Sequence, residues 1–300
     1  MNVQLKQTQD TLEVYFGDNL FTRYNFGKQW AKPYFYPVVT PKGIAFTRGH
    51  PMDTQPGENQ DHKHHKSLWV AHGDINGVDL WSEEPGHGTQ VQRSLRAQGD
   101  SLVTQVDWLD KSGKKLLTEN RTVRFGQEAA FRFLDFTIEF HASEGEVKFG
   151  DTKEGGIVSV RVTSTMDAVQ NGRIENSEGH VFSAQGGTTG PCTPSSAGEP
   201  TWGKRARWVT YTGPASGREC GVTILDHPAN LRHPTYWHVR GYGLFTANPF
   251  GISYFTDDPK QNGSHVLQAG ERLRFRYRVL VHDGVLQKVI IEKAFAEFRR

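Results

Sequence analysis

The feature that most constrains the fold is a succession of short runs of β-branched and aromatic residues, interrupted at close intervals by Gly, Asn, Asp and Pro. Such runs predict short β-strands joined by turns. The clearest run covers residues 271–282, where arginines alternate with apolar residues. The apolar members are Leu273, Phe275, Tyr277, Val279 and Val281. A period of two predicts a strand with one buried face and a solvated row of arginines on the other.

A second run, residues 129–141, changes its apolar parity near residue 133. This change predicts either a bulge or burial of both faces. Helix is scarce, and only residues 284–300 have a helical spacing of apolar residues. Many strands without alternating helices favour an all-β fold, a large antiparallel β-sandwich. We expect one domain over residues 1–300, with a long Gly-, Ser-, Thr- and Pro-rich loop at about 183–204.

Charge and composition exclude several classes of partner. The net charge is only +2, so nothing indicates binding to nucleic acid or to an anionic membrane. Cys192 and Cys220 cannot form a disulfide framework and have no metal-binding spacing. No window approaches eighteen apolar residues, and the N-terminus has no secretory signal pattern. We therefore expect a cytoplasmic protein. No nucleophile elbow, P-loop or dinucleotide-binding glycine motif is present.

The segment from Asp61 to Trp81 has the highest density of groups that titrate or coordinate near neutral pH. It contains His62, His64, His65, Trp69 and His72. On a strand, residues two apart share a face, so His62 and His64 are candidates to bind a divalent metal. The alternatives are a direct role of these histidines in catalysis or substrate binding, and a polar loop whose histidines only brace the backbone.

A second concentration of polar residues lies between residues 226 and 251, where prolines stiffen the chain after a strand. Rigid loops that present polar groups on a β scaffold are common sites of function. The candidates for substrate binding are Asp226, His227, Arg232, Trp237 and Asn248, with His238 as a catalytic candidate. Arg232 and Arg240 have planar forks that suit a carboxylate or several hydroxyls. For the arginines the alternative is an ion pair, and for Trp237 it is core packing.

The third candidate is Glu154, which precedes Gly155 and Gly156 at the entrance to a predicted strand that carries Arg161. Glycines there allow a turn or a close approach of the backbone. A carboxylate held beside histidines from other loops is what general base catalysis on a hydroxyl or a carbon-bound proton requires. The alternative is a solvated surface charge.

Together these motifs resemble a bacterial family of unknown function that carries the label methane oxygenase PmoA. The resemblance rests on the stretches 34–52, 61–81, 153–162, 176–179 and 226–251, which follow in the same order over most of the chain. It implies a galactose-mutarotase-like supersandwich, a fold whose members mostly handle carbohydrates. In such proteins histidines and a carboxylate converge on the sugar. Because no window could span a bilayer, we carry over no membrane-enzyme chemistry from the label.

We therefore hypothesise a carbohydrate-active enzyme that uses general acid/base chemistry as an epimerase, a lyase or a glycosidic-bond hydrolase. Glu154 is the expected general base, and the expected general acid is His238 or a histidine of the 62–65 group, His62, His64 or His65. His62, Trp69, His72 and Arg161 are expected to bind substrate. The alternatives are a non-catalytic sugar-binding protein and a metal-dependent enzyme with His62 and His64 as ligands. The hypothesis requires no cofactor, and its only partner is a small carbohydrate. It leaves the oligomeric state open.

Overall fold

The computed structural model describes residues 3–300. The first nine strands are β1 Val3–Gln7, β2 Thr11–Phe16, β3 Asn19–Asn25, β4 Tyr34–Val38, β5 Leu68–His72, β6 Thr89–Gln98, β7 Ser101–Leu109, β8 Lys115–Gln127 and β9 Arg132–His141. The next ten are β10 Val147–Phe149, β11 Gly155–Arg161, β12 Arg173–Asn176, β13 Val181–Phe182, β14 Trp208–Ala215, β15 Arg218–Asp226, β16 Tyr236–Val239, β17 Leu244–Asn248, β18 His265–Leu267 and β19 Arg272–Asp283. The helices are α1 Ile252–Phe255 and α2 Lys288–Phe298, with 3-10 turns at Ser164–Met166 and Pro194–Ser196.

The strands of residues 3–300 form two large antiparallel sheets and one short ribbon. The eight-stranded sheet has the order β1-β2-β3-β4-β5-β11-β17-β16, and the nine-stranded sheet has the order β13-β12-β14-β15-β19-β9-β8-β7-β6. Strands β10 and β18 pair separately. About 45% of residues are in strands and 7% in helices. The predicted all-β class and large antiparallel sandwich are confirmed.

The main core lies between the two sheets. Rings from opposite sheets meet there: Phe35 of β4 is 5.7 Å from Phe136 of β9, and Phe245 of β17 is 6.4 Å from Tyr211 of β14. Strand β19 buries Phe275 and its alternate neighbours in this core, as its period of two predicts. The burial of aromatic and β-branched side chains on both inner faces is the main stabilising contribution to a sandwich of this kind.

The arginine row of β19 differs from the prediction of a solvated face. Arg272 and Arg274 are exposed and pair with Glu139, but Arg278 is only 8% exposed. Arg278 makes two hydrogen bonds to Asp135, at 2.6 and 2.9 Å. Helix α2 covers this end of the arginine row, and Arg278 is therefore buried and ion-paired.

Helix α2 also explains the change of parity in β9. Phe133 packs with Phe295 and Phe298 of the helix, while Leu134 and Phe136 point into the main core. The pairing of β9 with β8 and with β19 runs without a register shift. Burial of both faces, rather than a bulge, is therefore the physical reason for the pattern. Among residues 3–300 no helix combines the length and apolarity needed to cross a membrane.

Candidate functional site

The outer face of the eight-stranded sheet positions the candidate site. Trp69 of β5 pairs with Ser159 of β11, Ser159 pairs with Thr246 of β17, and Thr246 pairs with His238 of β16. Directly opposed residues share a face, so these four side chains form one row across four strands. Ser159 and Thr246 join their hydroxyls at 2.7 Å. The row brings together residues that are up to 169 positions apart in sequence.

Loops cover this face and enclose a cavity of about 250 Å³. The segment between β4 and β5 contributes histidines, the segment between β5 and β6 contributes Trp81, and the 183–204 loop contributes Trp202. The turn between β16 and β17 adds two further residues. The full lining is His62, His64, His65, Trp81, Ser82, Lys153, Glu154, Ser195, Trp202, His238, Arg240 and Tyr242.

Close backbone packing places Glu154 at the cavity. A Cβ at Gly155 would lie 2.5 Å from Nδ1 of His72, and a Cβ at Gly156 would lie 1.7 Å from Oγ1 of Thr246. The two glycines therefore let β11 approach its neighbours more closely than any other residue would allow. Glu154 stands just before them with a side chain that is 44% exposed, 3.5 Å from the ammonium of Lys153.

A buried guanidinium fixes the tautomer of His65. Nη1 of Arg161 donates a 3.0 Å hydrogen bond to Nδ1 of His65. A guanidinium only donates, so Nδ1 accepts and the neutral ring carries its proton on Nε2. Burial, together with the charges of His64 and Arg161, holds the pKa of His65 well below its usual value. His65 therefore presents an N–H donor to the cavity and stays uncharged at neutral pH.

His238 presents the opposite polarity. Its Nδ1 lies 2.7 Å from the carbonyl oxygen of Lys153. A carbonyl only accepts, so Nδ1 carries the proton and Nε2 offers a lone pair. Burial lowers the pKa of His238 to about 3; the hydrogen bond to Lys153 opposes this shift, and the charges of Arg240 and Lys153 add to it. A donor from His65 and an acceptor from His238 suit a ligand hydroxyl, which both accepts and donates.

The remaining two histidines have different surroundings. Burial, followed by the charge of Lys32, lowers the pKa of His64 to about 3. His62 is 41% exposed and its Nδ1 lies 2.7 Å from Oδ2 of Asp61. Burial raises the pKa of Asp61, but Arg161, His62 and Arg48 outweigh it and lower that pKa to about 2. His62 is thus the cavity imidazole with a charged carboxylate partner.

Stacked rings hold these histidines in place. His62 lies between Tyr242 at 5.4 Å and His65 at 4.8 Å, and both contacts are nearly parallel. His65 stacks in turn on Trp69 at 5.4 Å. Arg161 lies 4.9 Å from the Tyr242 ring centroid. The column of four rings joins the loop histidines to the row of side chains on the sheet.

No group of three or more His, Cys, Asp or Glu side chains within residues 3–300 is arranged to hold a metal ion. Nδ1 of His62 is engaged by Asp61, and the His62 and His64 rings meet edge to face at 5.7 Å. The geometry therefore supplies no third ligand for the predicted His62 and His64 pair.

A family model matches residues 11–296, almost the whole chain. The chain belongs to DUF6807. DUF6807 is a family of unknown function, so membership assigns no activity to this cavity. A search of curated proteins found no match.

Solved structures resemble the DUF6807 chain at low sequence identity. The galactosidase domain of an alpha-galactosidase–sucrose kinase is 9% identical, with a TM-score of 0.45, over 94% of this chain and 42% of that one. An alpha-galactosidase from Geobacillus stearothermophilus is 11% identical, with a TM-score of 0.47, over 95% and 41%. A galactose mutarotase-like protein from Lactobacillus casei is 10% identical, with a TM-score of 0.35, over 93% and 100%. The chain spans about two fifths of the first two, and no residue role is transferred from them.

The structure brings together five of the residues predicted from sequence. Glu154, His62, His64, His65 and His238 line the cavity. Trp69 and Arg161 stand directly behind them through the contacts described above.

Two predicted residues lie on the inner side of the eight-stranded sheet instead. His72 is fully buried, 4.9 Å from the ring of Phe250, with Nε2 3.2 Å from the carbonyl of Gly150. Trp237 belongs to the main core and donates to the carbonyl of Ala206. The period of two explains both positions, since each is adjacent in sequence to a residue on the outer face.

The other predicted residues organise the 226–251 segment away from the cavity lining. Asp226 accepts hydrogen bonds of 2.8 Å from Asn230, His233 and the backbone of Thr235. His227 contacts the guanidinium of Arg276 at 2.7 Å.

The remaining two predicted side chains, Arg232 and Asn248, donate their hydrogen bonds to backbone carbonyls. The Arg232 guanidinium donates to the carbonyls of Pro249, Gly263 and Ser264. Asn248 binds the carbonyls of residues 152 and 153. These contacts hold loops together, and neither residue lines the cavity.

Sequence reasoning did not select Trp202 and Tyr242 and named Arg240 only for its planar fork, although all three line the cavity. Trp202 is the one aromatic residue in the loop at 183–204 that was expected to cover an end of the sandwich. Arg240 and Tyr242 flank Gly241 in the turn after β16. A large side chain in a Gly-rich loop was the available signal in each case, and it does not by itself distinguish a site from a turn.

Proposed function

We propose that the cavity binds one sugar unit and moves protons on it, so that the protein is a carbohydrate-active acid–base enzyme. The observation that carries the proposal is the pair of uncharged imidazoles with opposite hydrogen-bond polarity, His65 and His238, beside the carboxylate of Glu154. A sugar hydroxyl requires both polarities, and Trp81 and Trp202 supply apolar faces for its C–H groups. The volume, about 250 Å³, is below the range of about 300–1,000 Å³ for drug-sized ligands and suits a single ring.

The proton-transfer roles follow from charge. Glu154 is partly exposed and acts as the general base in the proposal. His62, hydrogen-bonded to the ionised Asp61, is the group that gives and takes the second proton. His64, His65 and His238 bind and orient oxygens, because burial lowers the pKa of each. This assignment selects one of the candidates of the sequence-based hypothesis, which gave the acid role to His238 or to a histidine of residues 62–65.

Proton NMR in D₂O tests the proposal on a panel of mono- and disaccharides. Epimerisation or β-elimination removes a C–H signal, and glycosidic cleavage creates new anomeric signals. Glu154→Gln should slow conversion by about 10²- to 10⁴-fold and retain sugar binding. Glu144→Gln, a similarly exposed carboxylate in the turn between β9 and β10, is the control and should convert at the wild-type rate. Full activity of both Glu154→Gln and His62→Asn would refute the assignment.

A non-catalytic sugar-binding protein is the second candidate function. The observation that favours it is the lowered pKa of three of the four cavity histidines, which leaves them as binding groups rather than proton carriers. It predicts that the panel contains a sugar that binds, as seen by saturation-transfer NMR, and that no sugar is converted. Replacement of Glu154 would then change affinity only.

A further inference from the structure

Two cations share one paired carboxylate at several places in the site. At the cavity surface Lys153 and Arg240 stand against one carboxylate, Glu154. Behind His64, the buried Lys32 and Lys66 share the single carboxylate of Glu83.

Behind His65, two cations again share one carboxylate. Arg48 and Arg161, both essentially inaccessible to solvent, share Asp61 at 2.5 and 2.9 Å. Two further carboxyls nearby are buried, and burial raises the pKa of Asp167 to about 7 and also raises the pKa of Glu199. They therefore compensate the excess less completely than exposed carboxylates would. The carboxylate of Glu58 also acts on Arg48, so the surplus of positive charge is located at the cavity surface, at Lys153 and Arg240.

Arg240 has hydrogen-bonding capacity to spare. Its Nη1 donates to the carbonyl of Ser196 at 3.3 Å, and its Nε lies 3.7 Å from Oε2 of Glu199, beyond hydrogen-bond distance. Nη2 makes no hydrogen bond to any residue in the range 3–300. The guanidinium lies 5.6 Å from the Trp202 ring centroid, which fixes its plane at the cavity. A planar fork with free donors matches a carboxylate in the bidentate mode.

We propose that the sugar bound in this cavity is a monoanion, a uronate or another sugar acid, whose carboxylate is held by Arg240 with Lys153 close by. The inference rests on the proposed function and names its substrate class. The single surplus positive charge at the cavity surface suits one negative charge on the ligand. A phosphate, with close to two charges at neutral pH, would require more free donors than the surface offers.

Isothermal titration of matched pairs tests the inference: glucuronate against glucose, and galacturonate against galactose. At least one uronate should bind about tenfold or more tightly than its neutral partner, as expected for a charge-assisted bidentate contact. Because the uronate should lose far more affinity than the neutral sugar, Arg240→Gln should abolish that preference. Arg240→Lys, which retains charge without the fork, should lose part of it. Arg218→Gln, at the exposed first residue of β15, is the control and should bind as wild type.

Each other outcome is decisive. Equal binding of both members of each pair would overturn the inference and leave the sugar site intact. A uronate preference that survives Arg240→Gln would overturn the role of this residue. Tighter binding of hexose 6-phosphates than of uronates would show that the anionic group is a phosphate. If no sugar of either kind binds, the proposed function fails together with the inference. Thermal unfolding of each variant confirms that the fold is retained.

Discussion

Arg161 and His65 are joined by a 3.0 Å hydrogen bond in which the guanidinium donates to Nδ1. The contact is buried, and the same guanidinium binds Asp61 through Nη2 at 2.9 Å. One side chain on β11 therefore sets both the tautomer of a cavity imidazole and the position of the carboxylate that pairs with His62. In many functional sites the hydrogen-bond partner of one imidazole nitrogen determines whether the other nitrogen carries a proton.

Replacement of Arg161 by Met should release the tautomer of His65. In the wild-type protein we expect Nε2 to be protonated and Nδ1 unprotonated at neutral pH, because Nδ1 accepts from Arg161. In Arg161→Met the two tautomers should interconvert. Long-range ¹H–¹⁵N correlation spectra of the histidines measure this directly. Arg274→Met, on an exposed ion pair of β19, is the control. A protonated Nδ1 in the wild type would contradict the assignment.

Replacement of Glu83 by Gln should destabilise the protein by about 3–5 kcal/mol, because it leaves two buried ammonium groups without their counter-charge. The Lys32 and Lys66 side chains are only 1% and 2% exposed, and both bind this carboxylate. Glu84→Gln is the matched control: its side chain is 64% exposed and 3.9 Å from Lys63, so its effect should be within about 0.5 kcal/mol. Urea unfolding measures both. Equal effects of the two substitutions would argue against the buried cluster.

Stability should fall on acidification between about pH 6.5 and pH 3. Burial lowers the pKa of His64 and of His238 to about 3, whereas the unfolded chain binds these protons near pH 6.5. In this window the unfolded state holds more protons than the folded state, so the free energy of unfolding decreases as the pH is lowered. Each such group contributes at most about 1.4 kcal/mol per pH unit.

Urea unfolding at several pH values tests this dependence. His238→Gln removes one of the titrating groups and should reduce the slope of unfolding free energy against pH. Thr246→Ser, which pairs with His238 on the sheet and carries no titrating group, should retain the wild-type slope. An unchanged slope in His238→Gln would refute a neutral His238 in the folded state.

Replacement of Phe295 by Ala should cost about 3–5 kcal/mol of stability, because this ring is 5% exposed and packs with the aromatic cluster between α2 and the nine-stranded sheet. Val289→Ala, at a position that is 68% exposed on the same helix, should change stability by less than about 0.5 kcal/mol. Sugar binding should be unchanged in both variants at temperatures where they are folded. Equal stability losses would mean that α2 does not pack as described.

Local patterns predicted much of the fold. The alternation in β19 placed Phe275 and its neighbours in the core correctly, and the only helix expected from spacing is present as α2. The parity change in β9 was recognised from sequence, but its cause was not. A buried Phe133 and a buried Leu134 can arise from a bulge or from two covered faces, and only the presence of α2 on the outer face decides between them.

The candidate site was predictable in its parts. The density of histidines in 61–81, the position of Glu154 before two glycines and the polar segment 226–251 identified five residues that line the cavity. The same reasoning included Arg232, whose donors are occupied by backbone carbonyls. A planar fork has the same chemistry in both settings, and residue type alone does not reveal which acceptors surround it.

The sequence by itself determined the strands, their buried faces, the C-terminal helix and the chemistry available in each loop. These properties depend on side-chain periodicity and on turn residues, which act over a few positions. Only the tertiary structure decided which loops meet. The order β5-β11-β17-β16 brings Trp69 and His238 into one row and so assembles the cavity. Strand order arises from packing of the whole core, where contacts link distant segments, and no local pattern encodes it.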